Sequence, residues 1–252
     1  MAERRHAGFS LIEIIVALAV MSLMLGAMAP LALRQLDSAR REATRREMQS
    51  LAQALIGDPT RDEYGYLGDM GQLPPALIDL NDPTGKPAWT VSTADGIGYG
   101  FAGPYAPGEA TAATGFVDGW GQAYQYSNLA AQVTSAGPDR TFGTADDLLV
   151  PNSPPTTTGS LVITVLGIPN SGPPVVLPSS GFRVWVASAS AGTRSEPERF
   201  PSSNPFAVSA LHIGLHGLRV RGQGGSYDGV EARRAVTVRR GQLAVELALE
   251  EP

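Results

Sequence analysis

The chain contains no cysteine among its 252 residues. Disulfides, zinc–thiolate sites and cysteine nucleophiles are therefore excluded within it, and any folded part is held by packing or by a bound cation. Charge is sparse as well: charged residues make up 17% and the net formal charge is −5. This is far from the basic balance of a nucleic-acid binder, and no nucleic acid is expected as a partner. Catalytic signatures are also missing. No G-x-S-x-G elbow is followed by an acid and a histidine in order, and there is no P-loop and no G-x-G-x-x-G strand–helix unit. No enzyme is expected.

What the chain does have is an apolar run. From Ile14 to Leu33 there is no charged residue and no polar stripe; at about 1.5 Å per residue this makes roughly 30 Å of helix, the thickness of a bilayer's hydrocarbon core. Arg4 and Arg5 precede it, so the positive-inside rule keeps the N-terminus cytoplasmic and sends everything after Leu33 across a membrane in a single pass. Glu13 sits inside the start of this run, where a carboxylate costs on the order of 2.5–3.5 kcal/mol. Such a residue is either paired and functional or snorkels at the membrane rim. Ala27-Met28-Ala29 has the small-x-small pattern of a signal-peptidase site, but Pro30 follows at once and makes that bond a poor substrate.

The stretch Gly8-Phe9-Ser10-Leu11-Ile12-Glu13-Ile14-Ile15 resembles the cleavage and methylation motif of type IV prepilins and type II secretion pseudopilins. The resemblance implies a leader, residues 1–8, cut by a prepilin peptidase between Gly8 and Phe9, with methylation of the new Phe9 amine. It further implies that Glu13 neutralises the terminal amine of a neighbouring subunit during assembly of a homopolymeric filament. Other pseudopilins and an inner-membrane assembly platform are the remaining implied partners, and the implied location is the inner membrane, then a periplasmic filament. Loss of Glu3, Arg4 and Arg5 with the leader leaves the mature chain more acidic. The lack of cysteine favours pseudopilins over pilins that close a C-terminal loop with a disulfide.

Beyond the span, Leu36, Ala39, Ala43, Met48, Leu51, Ala52 and Leu55 recur at mostly three- and four-residue steps, the apolar face of a continuing helix. Gly57-Asp58-Pro59 stops it. Residues 61–102 are turn-rich, and Gly68 through Leu80 resembles the loop and short helix that follow the long helix in major pseudopilins. The arginines Arg40, Arg41, Arg45 and Arg46 read as a solvated flank, with a few available to carboxylates of neighbouring subunits.

Asp118-Gly119-Trp120-Gly121-Gln122-Ala123-Tyr124-Gln125-Tyr126 reads as a turn entering a strand, and Val133-Thr134-Ser135 as the next strand. Then Asp139, Asp146 and Asp147 fall in one loop, where they repel one another unless solvated or bridged by a cation. Calcium, which takes six to eight oxygens in tolerant geometry, suits such a loop better than magnesium. The stretch is similar to the calcium-binding β-loop of major pseudopilins. That similarity implies Asp139, Asp146 and Asp147 as carboxylate ligands of Ca2+ and the carbonyls of Ala136 and Leu149 as backbone ligands; the alternative is a solvated acidic hairpin. Gly119 and Ala123 depart from the family's usual prolines, and Arg140 from its usual glycine.

Residues 151–158 form a stiff polar linker. After it, alternating runs at Leu161–Val165, Phe182–Val186, Phe206–His212, Leu218–Arg221, Ala235–Val238 and Leu243–Leu247 suggest a small β-sandwich, residues 159–252. Its histidines His212 and His216, on strand spacing, share a face without a third ligand, which favours structural roles over metal binding. Its arginines are either an anionic-partner patch or outward strand positions that discourage edge pairing. The expected fold is α+β: a long N-terminal helix, with a transmembrane half (9–33) and an amphipathic half, packed on a small antiparallel sheet (34–150), then an all-β sandwich-like domain. The alternative to a filament subunit made in many copies is a minor pilin or tip adhesin whose C-terminal β domain binds a partner or cargo.

Overall fold

The structure, a computed structural model, describes residues 11–58, 61, 63–107 and 115–252, with the side chains at 25, 27 and 29–31 outside the description. The leader and the Gly8–Phe9 junction thus lie outside the described residues. The chain is α+β.

Helix α1 spans Leu11–Ile56, 46 residues, or about 70 Å, and continues through position 30 without a break. Gly57 ends it with φ 74°, a left-handed conformation that costs glycine little. Apolar side chains of the first half, among them Leu11, Ile15, Leu18, Leu23 and Leu33, are exposed. Among the described residues, no helix is long and apolar enough to cross a membrane. The amphipathic half differs from the expected stripe at its start. Leu36, Ala39 and Ala43 are exposed, and the buried face begins at Thr44 and continues through Met48, Leu51, Ala54 and Leu55. Only this distal part is covered, because the folded remainder of the chain docks there.

What covers it is a small apolar cluster. Met48, Leu51 and Leu55 of α1 meet Tyr66 and Met70 of a second helix, α2 (Gly65–Met70), together with Leu77 and Leu80 of a 3-10 turn and Phe116, Trp120, Val133 and Leu148. Each such side chain contributes about 1.5–3 kcal/mol by leaving water. Helix α2 falls in a stretch whose glycines read locally as turns. Strands β1 (Thr90–Val91) and β2 (Gly98–Tyr99) form a two-residue ribbon, and β3 (Gln125–Ser127), β4 (Gln132–Ser135) and β5 (Leu148–Val150) an antiparallel sheet.

The C-terminal part has two further sheets. One orders β10 (Glu198–Arg199), β8 (Phe182–Ser190), β12 (Gly214–Gly222) and β13 (Glu231–Val238), with β9 (Thr193–Ser195) also on β8. The other orders β11 (Phe206–His212), β6 (Thr158–Ile168) and β14 (Gly241–Glu250), with β7 (Val175–Val176) on β6. Strand β14 runs parallel to β6, pairing from Gly241 opposite Gly159 to Glu250 opposite Ile168. Inward residues of both sheets, such as Ile163, Val184, Leu218, Val238 and Leu247, share one core. Each expected strand of this region is present.

The two parts are joined by polar contacts. Arg194 Nη2 lies 2.6 Å from Asp95 Oδ2, with the Asp95 side chain 5% exposed. Tyr64 and Thr237 share a hydroxyl hydrogen bond of 3.0 Å, and Gly192 N–H donates to the Met70 carbonyl at 2.9 Å. Gly71, at φ 75°, lies so close to Ala189 that a Cβ there would collide with its carbonyl. The 151–158 segment is tied at both ends: Gln132 Nε2 donates to the Pro151 carbonyl, and Ile213 N–H to that of Thr157.

Candidate functional site

Glu13 lies in the first described turn of α1, exposed. Gly8 and Phe9 fall outside the described residues.

At the other end of α1, the 116–126 segment is fastened to the helix by three side chains that share one face, Asp37, Thr44 and Glu47. Trp120 Nε1–H donates to Asp37 Oδ1 at 3.2 Å, Gly119 N–H to Thr44 Oγ1 at 2.9 Å, and Tyr124 O–H to Glu47 Oε2 at 2.9 Å. Burial pushes the Glu47 carboxyl up from its ordinary value, against the Tyr124 donation. The turn itself is built around Asp118, which is 5% exposed. Its Oδ1 accepts the N–H groups of Trp120 and Gln122 at 3.0 and 2.9 Å, and its Oδ2 accepts the Ser135 hydroxyl at 2.6 Å. A proline at position 119 could not make the donation to Thr44.

The acidic loop follows Ser135. Asp139 Oδ1 accepts the Thr141 N–H at 2.8 Å, Asp146 Oδ2 the Asp139 N–H at 3.2 Å, and Asp147 Oδ2 the Gly143 N–H at 2.7 Å. The Thr144 hydroxyl lies 2.7 Å from Asp146 Oδ1 and 3.4 Å from Asp147 Oδ1, and its donation holds the Asp146 carboxyl below the usual range. Arg140 stands at φ 58°, a left-handed conformation that costs a residue with a Cβ roughly 1–2 kcal/mol. Ala136 is buried and Leu149 sits on β5, 37% exposed. Among the described residues, no group of three or more histidine or acidic side chains is arranged to hold a metal ion. The loop is closed by its own donors.

Residues 4–29 match the family described as the prokaryotic N-terminal methylation motif. The N-terminus is prepilin-like. The match covers Arg4, Arg5, the Gly8–Phe9 junction, Glu13 and most of the apolar run, and it supports a type IV pilin-like protein, a filament subunit rather than an enzyme. No curated protein matches the chain.

The residues that hold the prepilin-like helix to its loop were not singled out from the sequence, though a signal existed. Positions 37, 44 and 47 follow helical spacing and place polar side chains along one face. His212 and His216 also differ from expectation. They do not share a strand face: β11 ends at His212, Gly214 turns the chain at φ 145°, and His216 lies on β12 in the other sheet. Their rings nonetheless meet with centroids 4.6 Å apart. His216 is fully buried, its Nε2–H donating to the His212 carbonyl at 2.8 Å.

Two groups near the junction of the parts set opposing pH dependences. Burial pushes the Asp69 carboxyl from 3.8 up to about 6, against the donation of the Tyr105 hydroxyl. Folded Asp69 keeps a proton that the unfolded chain releases, so rising pH costs stability between those values. Burial, and next the neighbouring His212, pushes His216 from 6.5 down to about 4. The unfolded chain binds that proton first, so falling pH costs stability between 6.5 and 4. Each contribution is on the order of 3 kcal/mol, and the two act in opposite senses. Relative to the unaltered chain, Asp69→Asn is expected to lose urea midpoint more steeply as pH falls from 6.5 to 4, and His216→Leu less steeply. A pH profile that neither variant changes would contradict this assignment.

Proposed function

We propose that the chain is a structural subunit of a type II secretion pseudopilus or a type IV pilus-like filament. It is made as an inner-membrane precursor with a cytoplasmic N-terminus and its bulk in the periplasm. A prepilin peptidase cuts between Gly8 and Phe9, and the processed helix packs with copies of itself and other pseudopilins through an inner-membrane platform. The observation that carries this reading is a methylation motif continuous with a 46-residue helix whose apolar half is left uncovered. A folded part gripping only the distal end of α1 leaves the proximal end free for lipid and then for other helices. The work is assembly, not catalysis. The test is the intact mass of protein isolated from filaments, expected to begin at a methylated Phe9. Assembled protein that retained residues 1–8 would overturn the reading.

The reading includes calcium at the 136–149 loop, through Asp139, Asp146 and Asp147 and the carbonyls of Ala136 and Leu149. It is supported by the crowding of two carboxylates on one Thr144 hydroxyl and by Arg140 keeping the turn where a glycine is usual. Bound calcium would stabilise the folded loop in proportion to its occupancy. Millimolar calcium is expected to raise the melting temperature, and Asp146→Ala to remove that rise. No shift in the unaltered chain would sink the metal assignment.

A second reading, a minor pilin or tip adhesin, is favoured by the bulk of residues 159–252, which every neighbour in a many-copy filament would have to accommodate. The β-sandwich-like part would then bind a partner or cargo. Copy counting separates the readings: hundreds per filament favour the first, a few the second.

A further inference from the structure

The two C-terminal sheets present their edges to solvent in different ways. Strands β9 and β10, at one edge of the first sheet, are three and two residues long. Strand β11, at one edge of the second, is broken by an irregular register between Val208 and Leu211, with Ala210 at φ 58°. Short and bulged edges resist pairing with other chains. Strand β14 has neither protection. It is ten residues long, in unbroken register with β6 on one side, and has no strand on the other. A groove of 470 Å³ opens beside it, lined by Arg234, Arg240, Gln242 and Leu243 among others.

The direction of its free backbone groups follows from two bonds. Glu251 N–H donates to Ile168 of β6, so odd positions face inward to β6. The Glu246 carbonyl accepts Arg234 Nη1 at 3.3 Å from the open side, so even positions face outward. The outward backbone groups are those of Gln242, Ala244, Glu246 and Ala248. The strand is also charged oppositely at its two ends. Arg240 precedes it and Glu250 closes it; both are exposed, and neither forms an ion pair among the described residues.

We infer that β14 pairs edge to edge with β14 of a second copy of this chain, antiparallel, with Arg240 of each copy opposite Glu250 of the other. In that register Gln242 faces Ala248 and Ala244 faces Glu246, all outward positions, giving on the order of eight backbone hydrogen bonds. Sliding one copy by two residues places Glu246 against Glu246, a like-charge pair. Sliding it the other way sets Arg240 against Ala248 and leaves both ion pairs unmade. Charge therefore selects one register. The contact is two-fold and closes at two copies, so it cannot repeat along one helical filament; it joins two subunits of separate filaments or two subunits before assembly. Arg234 is the guard on this edge, since its bond to the Glu246 carbonyl must yield when the second strand arrives. The inference stands independently of the filament reading.

The absence of cysteine makes the test clean. Full-length chains carrying Gln242→Cys and Ala248→Cys are purified separately in detergent, mixed and oxidised. Opposed residues in an antiparallel pair lie about 5.5 Å apart between Cα atoms, within disulfide reach. The mixture is expected to give a disulfide-linked dimer, and either variant alone several-fold less. Arg240→Glu in both chains is expected to reduce the mixed cross-link at least fivefold, adding Glu250→Arg to restore it, and Arg234→Ala to increase it. No mixed cross-link, a Gln242→Cys variant that cross-links equally well with itself, or a yield indifferent to Arg240→Glu would overturn the pairing. Arg234, Arg240, Gln242 and Glu250 are exposed and Ala248 is half-buried, and an unchanged circular dichroism spectrum confirms that each variant is folded.

Discussion

Replacing Glu13 with Leu is expected to leave the precursor inserted and processed but to reduce filament assembly to background. The argument is electrostatic. On the proposed reading, the Phe9 amine exposed by cleavage would be a cation at the edge of hydrocarbon, and an uncompensated charge at membrane depth costs on the order of 2.5–3.5 kcal/mol. A carboxylate from a neighbouring copy would remove that cost from both groups at once, because the attraction between them strengthens as the dielectric falls. Deleting it should therefore weaken each subunit addition about a hundredfold, and the loss recurs at every step of a growing filament. Insertion of the single chain should not suffer, since an apolar side chain enters lipid more readily than a carboxylate. Glu13→Gln separates charge from shape: it keeps the polar volume and is expected to fail nearly as badly. The measurements are membrane fractionation for the inserted subunit and electron microscopy or shear fractionation for the filament. Wild-type filament yield from Glu13→Leu would refute the pairing and leave rim snorkelling as the account of this residue.

The elements that could be read from sequence are those whose cause is local. The strands after residue 158 show strict alternation, and the stop of α1 is a glycine that the structure places at φ 74°. The turn at Asp118 was marked by its glycines and aromatics. What could not be read has non-local causes. Helix α2 carries two glycines in six residues, GYLGDM, and exists because Tyr66 and Met70 bury against α1, a tertiary gain that overrides poor propensity. Leu36, Ala39 and Ala43 have the right period for a buried stripe, but the fold leaves all three exposed. His212 and His216 share a face only if the backbone stays extended between them, and Gly214, the turn between the sheets, looks no different from a glycine within a strand. The Asp95–Arg194 pair joins residues 99 positions apart, and no spacing rule could have found it. For the acidic loop, the three carboxylates were legible as a cluster; that the chain's own amides and the Thr144 hydroxyl donate to them was not.

Asp118→Ala is expected to be the most damaging single substitution in the part packed on α1, lowering stability by about 3–5 kcal/mol. The carboxylate is nearly sealed from solvent and accepts three hydrogen bonds, from the Trp120 and Gln122 amides and the Ser135 hydroxyl. Bonds to a charged acceptor are worth about 1.5–3 kcal/mol each, and removing it strands three donors where water cannot replace it. The damage should spread along the chain of contacts. Without its central acceptor the turn loses the geometry that delivers Gly119 N–H to Thr44 and the Trp120 indole to Asp37, so the lid on the Met48–Leu51 face loosens. Thr44→Val, which removes one acceptor and keeps the volume, should cost far less, about 1 kcal/mol. Urea midpoints of the two variants measure the difference, and hydrogen exchange at the Gly121 and Tyr124 amides, which donate to the carbonyls of Asp118 and Phe116, should rise in Asp118→Ala first. If Asp118→Ala unfolded no earlier than Thr44→Val, the 116–126 turn would not depend on its carboxylate. Its grip on α1 would then come from the burial of Trp120 and Phe116 alone.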